Sequence, residues 1–110
     1  MTRASNQQDS RADDLRLLKL AQGGDRDSFE QLYRRHRGAV YHVAYGMTRN
    51  EAAALDVVQD TFIRAYNSLA GFRGKSAVRT WLCQIATHRA IDLRRRQRVR
   101  QTSELPSEEL

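Results

Sequence analysis

The chain is poor in the residues that end helices and that staple small folds together. Proline occurs once in 110 residues, at Pro106, so the body of the chain is free of the strongest helix breaker. Cysteine also occurs once, at Cys83. A lone cysteine excludes an internal disulfide, and with no CxxC pair or Cys/His cluster no zinc site is expected. No apolar run reaches the roughly 20 residues a membrane-spanning helix needs. The start, Met1 to Asp14, is polar and mixed in charge, without the apolar centre of a secretory signal. These absences lead to the expectation of a soluble, cytoplasmic protein with no membrane insertion, no metal and no cofactor. No segment alternates between polar and apolar residues as a half-buried strand does.

What is present is helical periodicity. The length suits one domain with one modest core, and a hydrophobic content of 40% is too high for a disordered tail. A first helix is expected over Asp14–Gln22, with Leu15, Leu18 and Ala21 on one face and Gly23-Gly24 as its stop. A second follows Asp25, whose carboxylate can cap it. It carries Phe29, Leu32, Tyr33, Val40, Val43, Ala44 and Met47 and ends near Thr48-Arg49. A third follows Asn50, with Glu51 favourable at the positive helix end. Its expected buried stripe is Leu55, Val58, Phe62, Ala65, Tyr66 and Leu69, and Gly71 is its expected stop. A loop over residues 71–77 leads to a fourth helix, Val78–Arg98, with Val78, Trp81, Leu82, Ile85, Ala86 and Leu93 on its apolar face. The fold class that follows is all-α, a compact bundle of three main helices plus a short N-terminal one. Residues 1–13 read as a flexible leader, 14–98 as the domain and 99–110 as the start of a linker, with Pro106 and the acids Glu104, Glu108 and Glu109.

Charge points to the partner. There are 19 Lys and Arg against 13 Asp and Glu, a formal net charge of +6, and such an excess suits a polyanion. The cations gather around the fourth helix: Arg73, Lys75 and Arg79 at its start, and Arg89, Arg94, Arg95, Arg96, Arg98 and Arg100 toward its end. A charged helix C-terminus favours one or two arginines by itself; a dense run joined to a second cluster on the loop suits backbone phosphates. Phe72 sits on that loop between glycines. It either stacks on an unpaired base or folds down onto the bundle. On the third helix Asp56, Gln59, Asp60 and Arg64 share a solvent face. Trp81 reads as a core anchor, with a wedge between separating bases as the other reading. The tyrosines read as helix packing and Cys83 as a small apolar residue.

An ordered set of short pieces carries a resemblance. These are Gly24-Asp25 ahead of Phe29-Glu30-x-Leu32-Tyr33, then Asp56-x-x-Gln59-Asp60-Thr61-Phe62, then Phe72-Arg73-Gly74. Thr80-Trp81-Leu82, Ile85-Ala86, Asp92 and the arginine run complete it. Between Leu15 and Arg96 the chain resembles the second conserved region of extracytoplasmic-function sigma factors of the sigma-70 family.

The resemblance implies a division of labour. Asp56, Gln59, Asp60 and Arg64 would dock on the clamp helices of the largest subunit of core RNA polymerase. The loop Phe72, Arg73, Gly74, Lys75 and Ser76, with Gln84 and His88 on the helix, would capture a flipped base of the −10 promoter element from the non-template single strand. Arg73, Lys75 and Arg79 would hold phosphates, while Arg89, Arg94, Arg95 and Arg96 would meet the upstream duplex. Where the family often has Asn, this chain has His88, which offers one titratable ring edge in place of a paired donor and acceptor. An anti-sigma factor is an implied further partner, and the usual −35-reading domain, region 4, is absent, as in a truncation. The alternative is a basic helical module that binds RNA or protein without opening promoters. An enzyme is not expected: Asp56 and Asp60 lie on an exposed face with no phosphate loop or nucleophile motif.

Overall fold

A computed structural model describes the backbone of residues 3–104 and the side chains of residues 10–100. Four α-helices follow in order: α1 Arg3–Gln22, α2 Arg26–Thr48, α3 Glu51–Asn67 and α4 Val78–Glu104. A 3₁₀ turn, Leu69–Gly71, lies between α3 and the loop before α4. There is no strand among the described residues, so the all-α bundle expected from the sequence is what forms. None of the described helices is long and apolar enough to cross a membrane.

Local chemistry sets the internal boundaries. Gly24, at φ +105°, turns the chain out of α1 in a conformation that L side chains rarely adopt. Asp25 then caps α2, its carboxylate accepting from the Asp27 N–H at 3.1 Å and from the Ser28 hydroxyl at 2.8 Å. At the far end Arg49 takes the left-handed conformation, and its N–H donates to the Tyr45 carbonyl at 2.8 Å. Asn50 caps α3 by accepting from the Ala53 N–H at 2.8 Å.

Two outer boundaries depart from expectation. α1 begins at Arg3, not Asp14, and α4 reaches Glu104, beyond Arg98. The segments read as leader and linker are polar, yet neither 3–13 nor 99–104 contains glycine or proline. Nothing there opposes continuing a helix whose costly first turn is already formed. Pro106 and the rest of the tail lie outside the described residues.

The core sits where α2, α3 and α4 meet, with α1 packed along α2. Leu17, Leu18 and Ala21 come from α1, Leu32, Val40 and Ala44 from α2, and Val78, Leu82, Ala86 and Ala90 from α4. α3 presents Ala54, Val57, Val58, Thr61, Phe62 and Ala65. The stripe expected on α3 is therefore rotated: Leu55 is 54% exposed and Tyr66 45%. The row that enters the core combines the small Ala54, Thr61 and Ala65 with Val57, Val58 and Phe62. Thr61 belongs to it because its hydroxyl is satisfied by the Val57 carbonyl at 2.7 Å. Leu15, expected inside, is exposed, and its place is taken by Leu17. Trp81 and Cys83 are half-buried against the core, and burial pushes the Cys83 thiol up.

The caps give a stability test. Asn50→Ala, which removes the acceptor for the Ala53 N–H, is expected to cost about 1 kcal/mol. It should lower the thermal midpoint by roughly 5 °C and leave the helical circular dichroism of the folded state unchanged. Asn50→Asp should keep most of that stability.

Candidate nucleic-acid interface

The loop after the 3₁₀ turn is held at its root and open at its tip. The Gln22 side-chain amide at the end of α1 donates to the Leu69 carbonyl at 2.8 Å and the Phe72 carbonyl at 3.2 Å. Phe72 folds down onto Trp81, ring centroids 4.7 Å apart and tilted by 43°, and both rings stay half-exposed. Gly74, at φ +75°, turns the loop where a side chain would be strained. Arg73 and Lys75 flank it, exposed, and the Ser76 hydroxyl donates to the Ala77 carbonyl at 3.3 Å.

Beyond the loop, the cations of α4 divide among faces. Gln84, His88 and Arg95 fall on one exposed row at helical spacing, with Thr80 at its start and the exposed Arg94 and Arg96 beside its end. Arg79 leaves this row: its Nε reaches His36 Nδ1 on α2 at 3.5 Å. Arg89 turns toward α3, where one terminal nitrogen donates to Asp60 at 3.2 Å and the other lies 3.6 Å from Asp92. Its side chain is only 16% exposed, which sets it apart from the other arginines of the expected duplex-facing group. Its Nε is buried with no partner among the described residues.

On α3, Asp56, Gln59 and Arg64 are exposed, and Asp60 is half-buried by its bond to Arg89. Beside them lies a groove the sequence reading missed. A concavity of about 540 Å³ between α2 and α3 is lined by Phe29, Tyr33, Leu55, Phe62, Ile63 and Tyr66, among others. Its walls are braced by edge-to-face ring pairs, Tyr33–Phe62 at 4.9 Å and Phe29–Tyr66 at 5.1 Å. The signal was present in α3: Leu55, Ile63 and Tyr66, added to the buried row, cover too wide an arc for one helix contact.

A second feature also escaped. Asp14 and His36 are 6% and 3% exposed and lie 2.8 Å apart. Arg35 adds a 2.7 Å bond to the same carboxylate. The Arg79 Nε–H approaches Nδ1 at 3.5 Å, an arrangement that suits a ring whose Nε2 proton is directed at Asp14. Burial holds the imidazole below its ordinary value, outweighing the carboxylate that raises it; the charges of Arg79 and Arg35 lower it further. The register was readable: Asp14 shares a helical row with Leu17, Leu18 and Ala21, and His36 with Leu32 and Val40.

Residues 32–100 match the family described as Sigma-70 region 2. The chain belongs to that family. It is 42% identical over 84 residues to the RNA polymerase sigma factor YlaC of Bacillus subtilis, covering 76% of this chain and 49% of that protein. It is 34% identical over 92 residues to the ECF RNA polymerase sigma factor SigM of Mycobacterium tuberculosis, covering 84% of the chain and 47% of that protein. The chain thus spans about half the length of the curated relatives it matches. Both relatives are named RNA polymerase sigma factors, and SigM is named as one of the ECF group. Among solved structures it is similar to an engineered region 2 of sigmaE in complex with GTAAAA. That likeness has a TM-score of 0.75 at 32% identity, over 84% of this chain and 94% of that one. It is also similar to CnrH in complex with the cytosolic domain of CnrY, with a TM-score of 0.68 at 30% identity over 87% of this chain and 68% of that one.

The buried histidine of this region 2 domain makes its stability depend on pH. The unfolded ring titrates near 6.5 and the folded ring below it, so the unfolded state binds the extra proton first. Stability is therefore expected to be flat above about pH 7 and to fall as pH drops through 6.5 toward the lowered folded value. Urea unfolding at pH 5.5 and 7.5 measures the difference. In His36→Gln this pH slope should shrink to that of the remaining groups, even if the variant is less stable at both values.

Proposed function

We propose that this chain is the promoter-engaging part of an RNA polymerase sigma factor. In this reading α3 docks on the clamp helices of core polymerase, and the loop 72–77 with α4 captures the non-template strand of the −10 element. The observation that carries it is the pairing of an exposed cationic loop, turned at Gly74 and rooted by Gln22, with the half-exposed Phe72–Trp81 ring pair beside it. That an engineered region 2 of sigmaE with a similar fold forms a complex with GTAAAA supports the assignment.

Extracting a base from its stack costs a few kcal/mol, which a pocket and phosphate contacts must offset. Phe72 and Trp81 offer aromatic surface, while Gln84 and His88 on the adjacent row offer donors and acceptors for a base edge. Arg73 and Lys75 hold the strand, and Arg94, Arg95 and Arg96 meet the duplex upstream. Arg89 serves instead as a brace between α4 and α3 through Asp60. Core polymerase meets Asp56, Gln59, Asp60 and Arg64, and the apolar groove of Leu55, Ile63 and Tyr66 extends that surface. An anti-sigma factor covering these faces is the implied regulator, as CnrY accompanies CnrH.

Titration with −10-like hexanucleotides varied base by base, read by fluorescence anisotropy, tests the DNA half. Phe72→Ala is expected to weaken the preferred hexanucleotide by roughly tenfold, in line with stacking worth about 1–3 kcal/mol per base. Arg73→Ala should weaken it and flatten the salt dependence by about 0.7 for the phosphate lost. Equal affinity for preferred and scrambled strands would defeat the reading in favour of a general basic module. For the polymerase half, Asp56→Ala with Gln59→Ala is expected to abolish capture of core polymerase and leave hexanucleotide binding within twofold.

A further inference from the structure

A cavity of about 550 Å³ lies where α1, α2 and the first turn of α4 meet, reaching Thr80 at the start of the Gln84–His88 row. Its lining includes one guanidinium from each helix: Arg11 of α1, Arg35 of α2 and Arg79 of α4. Asp14 is the one carboxylate in that lining, and it is already engaged by Arg35 at 2.7 Å and by His36 at 2.8 Å. Three cations therefore face one occupied anion. Exposed arginines need not converge, since like charges repel and water is available nearby. Here Arg35 is pinned by Asp14, and Arg79 is steered by His36 through its Nε, with no contact of its two terminal nitrogens among the described residues. The first turn of α4 adds Thr80, together with N–H groups that have no partner within their own helix.

Planar guanidinium forks suit phosphate oxygens, two nitrogens to a group. The volume falls in the range of roughly 300–1,000 Å³ typical of small-ligand sites, and the cavity adjoins Ala77, the last residue of the loop. We propose that this cavity is a phosphate subsite that takes a backbone phosphate of the same single strand, just beyond the segment held by the loop 72–77. This rests on the reading that the loop holds a DNA strand, and it assigns to α1 and α2 a part in strand binding.

The test uses the full chain, the preferred hexanucleotide, and versions extended by a few nucleotides at the 5′ or the 3′ end. One extension is expected to tighten binding roughly fivefold and to steepen the salt dependence by about 0.7 for each phosphate gained. Arg11→Gln should erase that gain. Arg16→Gln, which removes the same charge from α1 at an exposed residue paired with Asp13, should keep it. Thermal melts establish that both variants fold. The proposal is overturned if neither extension helps, if the gain survives Arg11→Gln, or if Arg16→Gln erases it equally. It is also overturned if inorganic phosphate binds the chain tightly while extension adds nothing, since the source is then a free anion. In each of these cases the hexanucleotide still binds; loss of hexanucleotide binding itself would strike the reading of the loop instead.

Discussion

Three helices of this domain meet around a core in which alanines sit beside Leu32, Phe62 and Leu82. Ala44, Ala54, Ala65, Ala86 and Ala90 are completely shielded, with Val40 beside them. With no disulfide among the described residues to hold it, the bundle depends on apolar burial at these close contacts. The constraint reaches outward. Because α3 turns Ala54, Val57, Thr61 and Ala65 inward, Leu55, Ile63 and Tyr66 are left on the outer face and form one wall of the groove. Because α4 packs through Leu82, Ala86 and Ala90, its Gln84–His88 row faces outward. Enlarging one of these alanines would push helices apart at a cost of about 1–3 kcal/mol, and would displace both outer faces together.

Much of this was legible before the structure, and for a local reason. Asp25 and Asn50 announce the starts of α2 and α3 because a cap needs only an acceptor and a nearby N–H. The loop after Gly71 and its flanking cations were readable from composition alone. What was not legible depended on partners distant in sequence. Side-chain size favoured Leu55 over Ala54 for the interior, yet Ala54 is the residue shielded and Leu55 the one exposed. Arg89 looked like one more arginine of a basic run until Asp60, 29 residues earlier, claimed it. Polar residues 3–13 suggested a loose leader, although the absence of breakers mattered more than polarity.

Charge is sorted more finely than the net value suggests. The acids Asp56 and Asp60 lie on α3, while the guanidiniums of α4 spread over at least three directions: the outer row, the Asp60 seam and the α1–α2 side. Pairs exposed to water contribute little, as with Arg34 and Glu30 on α2. The largely buried Arg89 differs, since removing Asp60 would leave a shielded cation with only the longer contact to Asp92. This pair ties the helix proposed to meet polymerase to the helix proposed to meet DNA.

The uninterrupted run of α4 from Val78 to Glu104 makes the helix a ruler. At about 1.5 Å per residue, Arg79 and Arg96 stand roughly 26 Å apart along the axis. Successive phosphates on one strand of a duplex advance by about 3.4 Å. A duplex strand lying along the rod would therefore meet its two ends some seven or eight phosphates apart, a span dictated by the protein. The same rigidity makes phase unforgiving: one residue inserted midway would swing everything beyond it by about 100°, carrying the distal arginines off the line begun by Gln84.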